Sequence, residues 1–209
     1  MHQILFGGDL MIGRLFNDKF KKMLDTDYKK IFGNIYPKLI KSDLVAINLE
    51  TTICNVREEE KYPNKVFNYK LQSIYSNILK VANIGYVSLA NNHICDYKKQ
   101  GLTETINNLE KLGISYAGAG INSNEAKKYT IKEIKNKLLE IIKIAFFSMC
   151  DHMEEWEANE NNHGIFYIPI NSNKMNSKQE EAIQLVKDLK SKNIVDFIVF
   201  SCHWNSNYV

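Results

Sequence analysis

Four apolar stretches in this chain end in side chains suited to metal or proton chemistry. Tyr86–Ala90 runs into Asn91-Asn92-His93, with Asp96 close behind. Two earlier stretches end in Gly8-Asp9 and in Asn48-Leu49-Glu50, and the last one carries His203. A divalent cation takes hard oxygen donors and imidazole nitrogen, at about 2.0–2.2 Å for zinc-like ions. Asp9 and Glu50 supply charge, Asn92 a carbonyl oxygen and His203 a nitrogen. One or two such ions polarise a phosphoryl or acyl oxygen and bring bound water to a pKa of about 7. That leaves His93 as a general acid or a phosphate-binding group, with Asp96 placed to fix its tautomer.

Each residue also has a plainer reading. An aspartate after Gly-Gly is often a turn or a helix cap, and an Asn-Asn pair can be turn chemistry. A lone histidine is more often structural. Arg14 is either an anion binder near Asp9, and so a substrate-binding residue, or surface packing. Asp151-His152 reads as surface structure more than as part of a site. Glu50 is harder to dismiss, because a carboxylate that closes a buried apolar strand needs a partner. The coincidence of four strand ends favours a site over four separate accidents.

The intervening elements must bring those ends together. Strands are expected at residues 3–9 (buried), Leu44–Leu49 (buried on both faces), Tyr86–Ala90, Ile114–Ala117 and Asp196–His203, with another short one near Gly164–Ile168. A helical stripe of Phe16, Phe20, Met23 and Tyr28 spans 15–31, and a short helix with Pro37 in its first turn follows at Ile35–Lys41. Helices are also expected at Ser73–Val81, along Leu102, Ile106, Leu109 and Leu112 up to Gly113, and over roughly 177–192 behind a capping box opened by Ser177. Tyr129–Lys135 and Leu138–Met149 read as a hairpin turning near Asn136-Lys137. Residues 51–71 form a polar loop long enough to be functional or mobile.

Strand–helix alternation with continuous apolar strands predicts an α/β fold with a mostly parallel sheet, and such sheets bind ligands beyond the carboxyl ends of their strands. The spacing agrees: 41 residues separate Asp9 from Glu50 and 42 separate Glu50 from Asn92, each about one strand–helix–strand circuit.

With 209 residues, 44% of them hydrophobic, the chain suits one domain over 1–209 with a sizeable core. A net charge of +3 is too weak to argue for nucleic acid. The four cysteines make no CxxC and read as small, reduced core residues. Cys202 and His203, adjacent on a strand, face opposite sides of the sheet and so do not share one metal. No apolar run has the length of a membrane span, and Met1 leads almost directly into Ile4–Phe6, so the expectation is a cytoplasmic protein as written.

Gly8-Asp-Leu-Met-Ile-Gly-Arg14, Asn48-Leu-Glu50, Ala90-Asn-Asn-His93 with Asp96-Tyr97, Tyr116-Ala-Gly-Ala-Gly120, and Ser201-Cys-His-Trp204 with Tyr208 together resemble the bacterial capsule-synthesis family, the CapA/PgsA-like proteins linked to poly-γ-glutamate capsules. That family is similar to calcineurin-like metallophosphoesterases. The resemblance implies a metallophosphatase-like α/β/β/α sandwich, of which this chain is the N-terminal portion. It implies Asp9, Glu50, Asn92 and His203 as ligands of a divalent Mn, Zn or Fe ion, and His93 with Asp96 as the catalytic pair. Met11 stands where the phosphoesterase Asp-x-His motif has its histidine, and no Gly-His-x-His segment occurs before Val209. Three functions follow as alternatives: a metal-dependent hydrolase or transferase of capsule synthesis, a non-catalytic binding or assembly component for an anionic polymer, and a generic phosphoesterase acting on a phosphoester substrate. The resemblance also implies contact with membrane-associated synthesis machinery and association with the cell surface. An apolar last strand without a following helix leads to the expectation of self-association through the face it leaves open.

Overall fold

Leu44-Val-Ala-Ile-Asn-Leu49 lacks polar alternation, and in the computed structural model, which describes residues 2–136, 138–170 and 175–204, it is an interior strand with a neighbour on each side. The first half of the chain contains β1 (Ile4–Leu10), α1 (Leu15–Phe20), α2 (Tyr36–Lys41), β2 (Leu44–Leu49), β3 (Thr52–Ile53), β4 (Lys70–Leu71), α3 (Ile78–Val81), β5 (Ile84–Ser88) and α4 (Lys98–Leu112). The second half adds β6 (Ser115–Ala117), β7 (Ala119–Gly120), α5 (Ser123–Lys127), β8 (Thr130–Lys135), β9 (Ile141–Cys150), β10 (Gly164–Ile165), α6 (Ser177–Ser191) and β11 (Phe197–His203).

Two sheets carry the fold where spacing alone predicts one. The first is parallel throughout, in the order β1-β2-β5-β6. The second has the order β11-β9-β8, with β11 parallel and β8 antiparallel to β9. Period-two geometry gives each strand two faces. Leu44, Ala46 and Tyr86 of the first sheet face Ile134, Ile144 and Phe146 of the second, and the Tyr86 and Phe146 rings stack at 4.2 Å. Val45, Leu49 and Val87 point the other way, into a core closed by α3 and α4. On the outer face of the second sheet, Ala145 and Phe147 pack against Leu189 of α6. Strands that are apolar on both sides are thus met by a sheet on one face and helices on the other.

The hairpin is present as β8 and β9, although Lys137 at its turn lies outside the described residues, as does Tyr208. Gly113 closes α4 in the left-handed conformation, and Pro37 lies in the first turn of α2. Other expectations need correction. The first strand is an edge strand and is half-exposed, with Phe6 58% accessible, because only one side of it is paired and Phe6 borders an open cavity between the two sheets. The stripe over 15–31 is not one helix: α1 ends at Phe20, and a 3-10 segment follows from Asp25 to Ile35 with a kink at Gly33. Phe20 and Tyr28 are still buried, since packing, not helical continuity, fixes them. Residues 73–81 split into a 3-10 turn and α3. The cap of α6 is Asn176, which accepts from the Gln179 N–H while the Gln179 side chain accepts from the Asn176 N–H, so the capping box begins one residue before Ser177. The 51–71 loop contains the paired β3 and β4, and Thr51 through Cys54 are fully buried. No helix among the described residues is long and apolar enough to cross a membrane.

Candidate functional site

The carboxyl ends of β1, β2, β5 and β11 meet at one rim. Asn48 is the hub. Its side-chain amide donates to Asp9 Oδ1 at 2.8 Å and lies 3.4 Å from His203 Nδ1, while its Oδ1 accepts from Asn91 Nδ2 at 2.9 Å. Asn91 also donates to the Leu49 carbonyl, and its own Oδ1 accepts the His93 N–H at 3.0 Å. The turn after β5 is thereby pinned to the end of β2, which fixes the direction in which Asn92 and His93 project.

Glu50 follows β2 and lies against Asp9. Burial, then the Asp9 charge and the hydrogen bond between the two carboxyls, push Glu50 up to about 7. Two imidazoles face the same carboxylate: His93 Nε2 is 3.9 Å and His203 Nε2 4.0 Å from Glu50 Oε1. His203 Nε2 is also 3.2 Å from Asn92 Oδ1. A neutral His203 satisfies both of its amide neighbours with the proton on Nε2, accepting from Asn48 at Nδ1 and donating to Asn92. Burial holds both imidazoles below their ordinary pKa, in spite of Asp96 beside His93 and Asp9 near His203.

On the far side of His93, Nδ1 is 2.8 Å from Asp96 Oδ2. Asp96 is fully buried and highly satisfied: Oδ2 also accepts the Tyr69 N–H at 2.6 Å, and Oδ1 pairs with the Lys65 ammonium. Lys65 donates as well to the Asn92 carbonyl, and the Tyr69 ring stacks on the His93 imidazole at 3.9 Å. Both residues come from the loop between β3 and β4, so this long segment is a built wall of the site.

Asp9, Glu50, Asn92, His93, Asp96 and His203 therefore form one connected set. Arg14 stands apart, exposed, with its guanidinium 5.6 Å above the Phe67 ring on the outer side of the same loop. Asp151-His152 lies closer to the site than its sequence suggests. The His152 ring is 5.3 Å from that of His203, its Nδ1 is 2.8 Å from Asp151 Oδ1, and the Asp151 N–H donates to the His203 carbonyl. Cys202 is exposed while the His203 side chain is mostly buried, as alternation requires, and the other three cysteines are buried free thiols.

Sequence reasoning missed Asn48, Asn91, Lys65 and Tyr69 as members of this network. Asn48 had a signal: it sits two residues before Glu50, hence on the same face of the chain. Lys65 and Tyr69 had none beyond the length of their loop.

No group of three His, Cys, Asp or Glu side chains among the described residues stands close enough to hold a metal ion. Amide oxygens widen the donor set. An ion with bonds of about 2.0–2.2 Å spans donors about 3.0–3.4 Å apart. Asn92 Oδ1 and His203 Nε2 meet that at 3.2 Å, and Glu50 Oε1, at 4.0 Å from the same nitrogen, is within a small side-chain adjustment of it. The donors are of the hard oxygen and imidazole type that fits a divalent cation. Beside them a cavity of about 290 Å³ opens between the two sheets, with Asp9, Asn48 and His203 at its polar end and Phe6, Ile47 and Val199 along its walls.

A family profile described as "Bacterial capsule synthesis protein PGA_cap" matches residues 3–209. The chain is 26% identical, over 97% of its length, to "PGA biosynthesis protein CapA" of Bacillus subtilis, of which it covers 49%. It is 28% identical, over 80% of its length, to a "Probable polyglutamine synthesis accessory protein" of Mycobacterium tuberculosis, of which it covers 42%. Identity to "Capsule biosynthesis protein CapA" of Bacillus anthracis is 26%, with 46% of that protein covered. The chain thus spans about half the length of the curated relatives it matches. With its strand-end motifs inside a match that runs from residue 3 to residue 209, the chain belongs to the bacterial capsule synthesis protein family.

Proposed function

We propose that this chain carries the metal-dependent hydrolase or transferase site of a poly-γ-glutamate capsule synthesis protein, in a metallophosphatase-like α/β/β/α fold. The names of its relatives supply the pathway, and the order of its layers, helices outside two facing sheets, supports the fold. One observation carries the site: Asp9, Glu50, Asn92 and His203, from strands of both sheets, are linked within hydrogen-bonding or near-contact distance. In this reading those residues hold the ion, and Arg14, which stands apart from them, meets only a part of the substrate that extends past the 51–71 loop. A bound divalent cation supplies Lewis acidity and a water of lowered pKa. His93 keeps its proton on Nδ1, held by Asp96, and turns Nε2 toward Glu50, where it can take a proton from the reacting group or return one. The test is calorimetric titration of metal-stripped protein with Mn²⁺ or Zn²⁺. Saturable binding that Glu50→Ala abolishes supports the reading, and binding indifferent to Glu50 removes it.

A second reading is a non-catalytic component that grips an anionic polymer and helps assemble membrane-associated synthesis machinery at the cell surface. Its support is that the carboxylates are already satisfied: Asp9 holds Asn48, Asp96 holds Lys65, and His203 can point a proton at Asn92. Polyglutamate binding unaffected by chelator, with no turnover of phosphoester or amide substrates, selects this reading over the first. Robust phosphodiester turnover without any effect of polyglutamate selects a generic phosphoesterase instead.

A further inference from the structure

We propose that Lys65 is a positioning residue for His93: its ammonium locks the Asp96 carboxylate and the Asn92 carbonyl together, so that the imidazole, whose tautomer Asp96 sets, is held in a single orientation with Nε2 open to the site. The importance of this orientation rests on the catalytic reading above. The lock itself is a property of the ground-state structure and can be measured without turnover.

Lys65 is distant in sequence from His93 and comes from a loop without helical or strand periodicity, yet its ammonium reaches three atoms of one turn. It donates to Asp96 Oδ1 and to the Asn92 carbonyl, and it lies 3.2 Å from His93 Nδ1. Its side chain is only 16% accessible. The Trp156 ring lies 4.7 Å beneath the ammonium, and the Tyr62 ring packs on Trp156 at 5.1 Å. A long side chain gives up rotamer freedom to be held this way, and the return is the pairing of a carboxylate that has no access to water.

The geometry also settles which proton goes where. An ionised Asp96 only accepts, so the 2.8 Å contact with His93 Nδ1 requires a proton on Nδ1. The ammonium, at 3.2 Å from that same nitrogen, then meets an N–H and not a lone pair, so its bonds go to Asp96 and to Asn92. Tyr69 completes the clamp, its N–H on Asp96 and its ring on the imidazole face. Two donors and a stacked ring leave the imidazole one way to sit, with Nε2 3.9 Å from Glu50. Without the ammonium, Asp96 retains Tyr69 and His93 only, the Asn92 carbonyl loses its donor, and Asp96 and the imidazole it holds are free to move together.

The experiment is ¹⁵N NMR of the imidazole and lysine nitrogens in the full chain without added metal, at a pH where His93 is neutral. In the wild-type chain, His93 is expected to give one protonated Nδ1 and one unprotonated Nε2 signal. The Lys65 ammonium is expected to exchange slowly with water and to show cross-peaks to His93. An ammonium that exchanges as fast as the exposed Lys99 overturns the proposal, whatever the variants do. In Lys65→Met the His93 Nδ1 proton, still held by Asp96, is expected to exchange with water faster and the ring signals to shift and broaden, while those of His163 stay put and Lys65→Arg restores the His93 signals at least in part. A folded Lys65→Met chain with unchanged His93 signals also overturns it. Because the readout needs neither metal nor substrate, it can succeed while the catalytic reading fails, and the reverse.

Discussion

The Nε2 of His203 lies 3.2 Å from the Oδ1 of Asn92, across 111 positions of sequence. That contact joins β11 of the second sheet to the turn after β5 of the first. Two donors that close act on a shared ion as a unit, and their losses should not add. His203→Ala and Asn92→Ala are each expected to weaken Mn²⁺ or Zn²⁺ binding at least about tenfold, and the double variant little more than the worse single one. Additive losses in isothermal titration would place the two side chains on different ions, or on none.

Glu50 gives the fold an unusual dependence on pH. Its carboxyl is pushed up to about 7 by burial first and by Asp9 second, against an ordinary value of 4.5. Between those values the folded chain holds a proton that the unfolded chain has lost, so stability falls as pH rises through the window, by about 3 kcal/mol in all. His93 and His203 act oppositely. Their lowered values mean that the unfolded chain binds the extra protons, so their contribution is lost on acidification below about 6.5. Wild-type stability should therefore be flattened across mildly acidic pH, whereas Glu50→Gln should become steadily more stable up to about pH 6.5 and then stay level. Urea unfolding at a series of pH values measures this, and parallel curves for the two proteins refute it.

Much of this arrangement is legible in the sequence, for physical reasons that differ by element. Apolar runs such as Leu44–Leu49 and Phe197–Phe200 announce strands, and polar residues at their ends announce a rim, because both signals are local. The pairing of strands is not local. Nothing in Ile141–Cys150 or Phe197–His203 says that they leave the first sheet to form a second, since an apolar strand looks the same whether a helix or another sheet covers it. Phe16, Phe20 and Tyr28 have helical spacing, but Phe20 and Tyr28 reach one core through a broken helix because rings in contact, at 5.1 Å, matter more than continuity of the backbone. Lys65 and Tyr69 were invisible because a loop residue acquires its neighbours only from the path of the whole chain.

Asn48 should be a costly amide to lose from the site. It serves Asp9, Asn91 and His203 at once and is 9% accessible. Asn48→Leu removes all three bonds and leaves the buried Asn91 amide short of a partner, whereas the exposed Asp9 carboxylate can turn to water. A buried group left unmatched costs about 1–3 kcal/mol. The expected loss is about 1–3 kcal/mol for the variant. Asn91→Leu strands the Asn48 Oδ1, the Leu49 carbonyl and the His93 N–H, and should lose at least as much. A loss within about 0.5 kcal/mol of zero for Asn48→Leu in chemical denaturation would mean that Asn48 is not the hub.

Gly118 tests whether the two sheets must approach closely just behind the rim. It has a φ of 96°, in the region that favours glycine, and a Cβ there would collide with Ser148 and with the Ala90 side chain. Ser148 Oγ is 2.5 Å from Ser88 Oγ and accepts the Ala90 N–H at 3.1 Å, so the collision falls on the bonds that tie β9 to the end of β5, immediately before Asn91. Overpacking and backbone strain together predict a loss of about 2–4 kcal/mol for Gly118→Ala. The same alanine at Gly8, where a Cβ would meet nothing within 4 Å, should change stability by no more than about 0.5 kcal/mol. The damage at Gly118 should also reach the site, through displacement of Asn91 and hence of the His93 N–H that it anchors at 3.0 Å. Amide hydrogen exchange at His93 is the direct measure: it should accelerate in Gly118→Ala and stay protected in Gly8→Ala, and equal protection in both would show that the inter-sheet contact does not support the rim.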